Sequence, residues 1–206
     1  AVLATGLGAT LFVLVVIDAL VLRPLPFPDG DRLVQIGEAD HNEPGFLDGM
    51  NSQDLLELRA ALTQFDAVES FSGGTMNLSD GEQVERYDGQ FVSGGLFDLI
   101  AVDAQIGRTL NADDDLPGTA LRVVISDRVW RQRFAASPDV LGRAVRVNTE
   151  PAEIVGVMPP GFTFPFVSDV WTAARYANGL PQAQQREAEV IARLKAGATL
   201  DEAALE

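Results

Sequence analysis

The chain has no cysteine. Disulfides, thiolate nucleophiles and cysteine-held metals are therefore excluded together. That absence leaves the compartment open, because envelope proteins also do without thiols. Histidine is nearly as scarce: His41, in the polar stretch EADHNEPG, is the only one. A single loop imidazole makes neither a histidine-rich zinc site nor a histidine pair, and it reads as a solvated side chain. Positive charge is also short, with 15 Lys and Arg against 30 Asp and Glu and a formal charge of −15. The densest basic stretch, Arg128 to Arg133, is only a short helical run. Nothing offsets phosphate repulsion, so nucleic acid is excluded as a partner.

Catalytic signatures are missing as well. There is no Gly-x-x-x-x-Gly-Lys-Ser/Thr loop for nucleotide phosphates, and GLGATL lies in an apolar run without the preceding strand of a dinucleotide fold. No Gly-x-Ser-x-Gly elbow occurs, and a serine triad would rest on His41 alone. Asp113, Asp114 and Asp115 lack the alternation and closing Glu of a calcium loop and read as a solvated acidic turn. Carboxylate pairs at glycosidase spacing arise in any chain with 30 acids, but Trp130 and Trp171 sit in core-like patterns and offer no sugar platform. No catalytic, cofactor-binding or metal residue is nominated, and the chain is expected not to be an enzyme.

What is present divides into three parts. Residues 1–23 form an apolar run whose first 22 residues carry one charge, Asp18. As a helix its first 22 residues span about 33 Å, enough to cross a bilayer. A signal peptide is the rival reading, although its apolar region would be shorter and no small-x-small cleavage site follows. The missing initial Met implies trimming upstream. Ala4, Gly6, Gly8 and Ala9 suit close helix packing, and Asp18, near one end, is an intramembrane polar residue that reaches water or a partner helix. Residues 24–30 follow as a stiff connector built on Pro24, Pro26 and Pro28.

Residues 31–206 are the third part, a soluble domain cut off inside its last helix. With 47% hydrophobic and 22% charged residues, the chain can build a core. RLVQIGEA predicts a strand, and NSQDLLELRAALTQF a helix with Leu55, Leu58, Leu62 and Phe65 on one face. FDAVESFSGG is the returning strand, and Asp80-Gly81 marks a hairpin. Residues 75–120, less periodic, are expected to be an inserted subdomain. Further on, LRVVISD predicts a strand, SDRVWRQRFAA a helix with Val129, Trp130 and Phe134 inward, and AVRVNTEPAEIVGVM a hairpin turning at Asn148 to Pro151. DVWTAA is another strand, and Thr199 with Glu202 forms a capping box. The fold class is α+β: a transmembrane helix, then strand-helix-strand units around an irregular β insertion.

One stretch, VGVMPPGFTFP from Val155 to Pro165, ends a strand on Pro159-Pro160-Gly161 and then spends aromatic residues on the turn. Phe162 and Phe164 staple the reversing chain to the sheet, or, with Phe166, they form a candidate partner interface; both readings stay open.

The string VVISDRVWRQRFAASPDVLGRAVRVNTEPAEIVGVMPPGFTFP, followed by DVWTAA, resembles the MacB-like periplasmic core domain of FtsX-like ABC transporter permeases. LFVLVVIDALVLRPLPFPDGDRLVQI resembles the first membrane helix and exit segment of such permeases, FDLIAVDAQIGRTL their Phe-Asp-x-Leu-Gly-Val-x-x-x-x-Gly-Arg stretch, and ARLKAGATLDEA their tail. Ala101 replaces the family's common Gly, and NTEP its usual Asp-Gly-x-Pro turn. The resemblance implies the extracytoplasmic domain of an export or mechanotransmission permease in the bacterial cytoplasmic (inner) membrane, with this domain on the periplasmic side. It implies a separate or fused ABC nucleotide-binding subunit, a second permease copy, lipid around the first helix, a periplasmic partner and no cofactor. The alternative is a membrane-anchored binding module without transport.

Overall fold

The computed structural model describes residues 27–39, 47–81, 83–116, 118–175 and 187–203. The expected transmembrane helix, residues 24–26 of the connector, Asp18 and His41 lie outside these residues. Among the described residues no helix is long and apolar enough to cross a membrane.

Strand β1 (Leu33–Ile36) pairs antiparallel with β11 (Glu189–Leu194), and β11 pairs antiparallel with the first half of β4 (Phe65–Ser79). β1 and β4 are therefore parallel, with β11 between them. This is the first strand-helix-strand unit, and its helix α1 (Ser52–Ala61) lies on one face. Leu55 is fully buried there against Val68, Val190 and Ala192, flanked by Leu58, Leu62 and Phe65. The spacing expected of the helix's apolar face is the spacing that packs. Two short strands, β2 (Glu38–Ala39) and β3 (Leu47–Asp48), pair separately.

β4 does not stop where this sheet stops. From Phe71 to Ser79 it pairs with β5 (Val84–Val92) as the hairpin expected at Asp80-Gly81, where Gly81 takes φ 97°. A short helix, α2 (Leu96–Ile100), and β6 (Ile106–Gly107) follow. Strand β7 (Leu121–Ile125) leads into α3 (Asp127–Phe134), capped by Ser126 Oγ, which accepts the Val129 N–H at 3.1 Å. The hairpin β8 (Ala144–Val147) and β9 (Glu150–Val157) turns at Asn148, whose φ of 56° asparagine tolerates. β10 (Val170–Ala173) runs parallel to β5 and antiparallel to β7, and β7 runs parallel to β9.

These pairings close a ring. β8 returns to β4 through Leu78↔Val147 and Ser79↔Arg146, so β4, β5, β10, β7, β9 and β8 form a closed circuit. Closure leaves no free edge in that circuit. Its core includes Met76, Leu78, Val123, Ile125, Val145, Val147, Ile154 and Val170, and α3 packs on it through Val129 and Phe134. Trp130, expected inward, is half-buried and donates Nε1–H to Ser137 O at 2.8 Å. A second apolar cluster, between the ring and the first sheet, gathers Leu33, Phe71, Leu96, Phe97, Ile100, Trp171 and Ile191.

Residues 75–120 contribute to this same sheet rather than to one of their own: β4 runs unbroken through residue 75, and β5 and β6 belong to the nine-stranded sheet. The capping box on α4 (Leu200–Ala203) forms as expected, with Glu202 accepting the Thr199 N–H at 3.0 Å and Thr199 Oγ1 accepting the Glu202 N–H at 3.3 Å.

Leu78 is fully buried at the ring closure, whereas Leu200 is 61% exposed. Leu78→Ala is expected to cost about 2–5 kcal/mol, and Leu200→Ala less than about 0.5 kcal/mol. Urea midpoints of the two variants check this; equal midpoints would contradict the ring as the structural centre.

Candidate functional site

The aromatic turn begins where β9 ends. Met158 N–H donates to Ile125 O at 2.8 Å, and the chain reverses at Pro160-Gly161, with Phe162 N–H donating to Pro159 O at 3.2 Å. Gly161 takes φ 79°, the left-handed value a type II turn requires at that position. Phe162 then lies 5.4 Å from Trp171 and 6.1 Å from Phe97, centroid to centroid. Phe164 meets Phe27 edge-on at 4.9 Å and Phe71 at 6.0 Å. Trp171, wholly buried on β10, donates Nε1–H to Phe164 O at 3.1 Å. Both rings thus close the second apolar cluster, as a staple does.

Phe166 behaves differently. Its ring touches Phe71 at 6.1 Å but is 53% exposed, and Val167 beside it is 78% exposed. Ser168 and Asp169 then return to the interior; Ser168 Oγ accepts from Gln90 Nε2 at 3.0 Å. The three rings grouped by sequence therefore divide: Phe162 and Phe164 pack inward, and Phe166 with Val167 forms an exposed apolar lip.

The acidic stretch corrects the expectation of a solvated turn. Ala112–Asp115 is a 3₁₀ turn closed by a capping box in which Asn111 Oδ1 accepts the Asp113 N–H and Asp114 accepts the Asn111 N–H at 2.9 Å. Asp113 is exposed as expected, but Asp114 is buried and receives Arg108 on both oxygens, at 2.6 and 2.9 Å. Burial alone would raise the Asp114 carboxyl; the Arg108 hydrogen bonds and the Asn111 N–H outweigh it and hold it below its ordinary value. Asp115 accepts the Gly94 N–H at 2.5 Å and the Arg175 N–H at 3.0 Å, and burial pushes its carboxyl up despite them.

Glu69, on β4, faces the same Gly94-Gly95 loop. It accepts from Arg59 Nη2 at 3.0 Å and from Ser93 Oγ, while burial raises its carboxyl against both. A Cβ on Gly94 would stand 2.1 Å from the Asn111 carbonyl oxygen, so only glycine fits there. Asp169 ties β10 to α3, accepting from Ser126 Oγ at 2.7 Å and Arg128 Nε at 3.0 Å. Sequence reasoning missed these anchors. The available signal was Arg108 lying six residues before Asp114. Among the described residues no group of three or more His, Cys, Asp or Glu is placed to hold a metal.

The family model for the MacB-like periplasmic core domain matches residues 1–206. Three solved structures share the fold. The extracellular domain of the noncanonical ABC-type transporter YknZ from Gram-positive bacteria is 18% identical, with 80% of this chain and 83% of that one covered and a TM-score of 0.58. The periplasmic region of MacB from Actinobacillus actinomycetemcomitans is 15% identical, with 84% and 79% covered and a TM-score of 0.66. A domain of a permease protein from Porphyromonas gingivalis is 14% identical, with 85% and 80% covered and a TM-score of 0.60. At such identities the likeness is one of fold. No curated protein matches the chain.

Two outcomes are expected from this geometry. Phe164→Ala should cost about 2–4 kcal/mol and Phe166→Ala under about 1 kcal/mol, measured by thermal unfolding; equal losses would undo the division of the rings. Asp114→Asn should cost about 1–2 kcal/mol near neutral pH, a charge-assisted pair discounted because Arg108 is nearly half exposed. Because the Asp114 carboxyl is depressed when folded, its contribution is present above its ordinary value of 3.8 and fades as pH falls through the lower folded value. The gap between parent and variant in urea titrations should therefore shrink in acid; a gap independent of pH would contradict the assignment.

Proposed function

Since the chain belongs to the MacB-like periplasmic core domain family, we propose that it is the extracytoplasmic moving part of an ABC-type permease, transmitting motion driven by ATP hydrolysis elsewhere. The observation that carries this reading is β4, one strand pairing first with β11 and then with β5 and β8. Displacement of the sheet nearest the connector must move the ring, because the same backbone belongs to both. In this reading a separate or fused nucleotide-binding domain hydrolyses ATP, and a second permease copy completes a dimer. Residues 1–23 span the bacterial cytoplasmic membrane among lipid. The domain itself takes no cofactor and performs no chemistry. Its task is export or mechanotransmission.

A second reading, a membrane-anchored binding module, is favoured by the exposed Phe166-Val167 lip, which offers an extracytoplasmic partner an apolar contact. Purification of the protein from its native membrane in mild detergent, with ATPase assay, separates the two. Recovery of a nucleotide-binding subunit, or ATPase activity from a fused one, is the expected result. A preparation free of any ATPase, but retaining a periplasmic partner that Phe166→Asp releases, would replace the first reading with the second.

A further inference from the structure

The segment arriving from the connector is bolted to the domain at more points than the β1–β11 ladder provides. Arg32 donates Nε–H to Leu194 O at 2.9 Å and from Nη2 to Asp66 at 2.6 Å, with a further short bond from Nη2 to Leu194 O. Its Nη1 lies 3.6 Å from Asp29. Arg193, one residue before Leu194, reaches back in the opposite direction. Its Nη1 donates to Pro28 O at 3.2 Å and Asp29 O at 3.3 Å, and its Nη2 donates to Pro28 O at 3.2 Å and to Leu99 O on α2. Phe27 completes the attachment by meeting Phe164 of the aromatic turn edge-on.

The six residues 27–32 thus touch β11, β4 and the aromatic turn, and Arg193, which holds Pro28 and Asp29, also holds α2. Asp29 holds φ 51°, a left-handed backbone that aspartate, like asparagine, adopts more readily than most residues. Arginine suits this work because a planar fork can serve several carbonyls at once, which an ammonium group cannot do in one fixed geometry. Arg193 is also well covered, at 14% side-chain exposure, so water competes weakly for those carbonyls.

We propose that Phe27, Arg32 and Arg193 form a clasp that makes residues 27–32 one rigid lever with β11 and the aromatic turn, so that displacement from the connector enters the domain undiminished. The purpose of the lever rests on the transmission reading above; its rigidity does not. Phe164 then has a use beyond stapling its own turn, because it is the seat on which the incoming chain rests.

The test uses the whole 206-residue chain in lipid nanodiscs. Gly30 and Arg32 donate their N–H groups to Phe27 O and Asp29 O, both at 3.0 Å, and amide hydrogen exchange reports on those bonds. Arg193→Met and Phe27→Ala should each speed exchange at Gly30 and Arg32 by about tenfold while β7 and β9 keep parental rates. Their double variant should fall short of the summed effects, since both act on one unit. Arg193→Lys should recover little. Unchanged exchange at Gly30 and Arg32, or equal acceleration in β7 and β9, would overturn the clasp.

A second readout is rigidity itself. The chain's lack of cysteine lets spin labels sit only at introduced Asp31→Cys and Asp139→Cys, both exposed positions. A narrow distance distribution in the otherwise parental chain that broadens with Arg193→Met supports the lever; the same width in both overturns it. Neither readout needs an ATPase, so failure of the lever and failure of the transmission reading show up in different experiments.

Discussion

Everything in this domain depends on one strand holding two partnerships. β4 gives its first seven residues to β11 and its remainder to β5 and β8. Its sequence accommodates the change. Up to Phe71 it carries bulky residues that feed the clusters beside α1 and α2. Ser72-Gly73-Gly74 then passes through the junction with little side chain, before Met76 and Leu78 enter the ring. A strand with no side chain to pack in its middle is intrinsically weak. Here the β5 ladder alone carries the glycines, Gly73 opposite Gln90 and Gly74 opposite Gly89, and β8 closes on β4 at Leu78 and Ser79, well past them.

The acidic surplus looks different once its partners are known. A formal charge of −15 is mostly a solvated surface, but several acids are structural joints: Asp114 with Arg108, Asp169 with Arg128 and Ser126, Glu69 with Arg59 and Ser93. The cations that meet them are arginines; Lys195 is the one lysine in the chain. That choice fits the geometry, because several of the chain's arginines serve two or more acceptors at once. Arg175 donates to both Glu150 and Thr119 O, and Arg133 to both Asp80 and Gln83 O. A lysine could neutralise one such acid but could not hold two elements at a fixed separation.

Much of the fold was legible where structure is local. The apolar face of α1, the hairpins at Gly81 and Asn148 and the Thr199–Glu202 box each depend on residues within a few positions of one another. The ring was not legible. Its closure joins Leu78 to Val147 and sets β10 parallel to β5, pairings across some seventy or eighty positions that no periodicity encodes. Because of this, residues 75–120 looked irregular: β5 alternates imperfectly when Gly89 must lie against Met76 and the Val170 backbone. Asp114 was misread for a related reason. A run of three acids resembles solvent-facing loop until the folded chain brings Arg108 and the Asn111 amide onto the middle one. The aromatic turn was half legible, since Phe162 and Phe164 differ from Phe166 only in which of them finds Trp171, Phe97 or Phe27 across the fold.

A part that conveys displacement must be stiffer than what drives it, and the domain's stiffness is graded accordingly. The ring has no free edge, so shear between its strands must break ladder hydrogen bonds along a closed circuit. Outside it, the sheet of β1, β11 and β4 is open at β1, the strand nearest the connector. An open edge is where a sheet frays first. Arginines and a phenylalanine are concentrated at that edge, and their bonds run to β11, β4, α2 and the aromatic turn rather than along β1 itself. The weakest margin of the sheet is reinforced from outside its own ladder, at the place where the chain from residue 26 arrives.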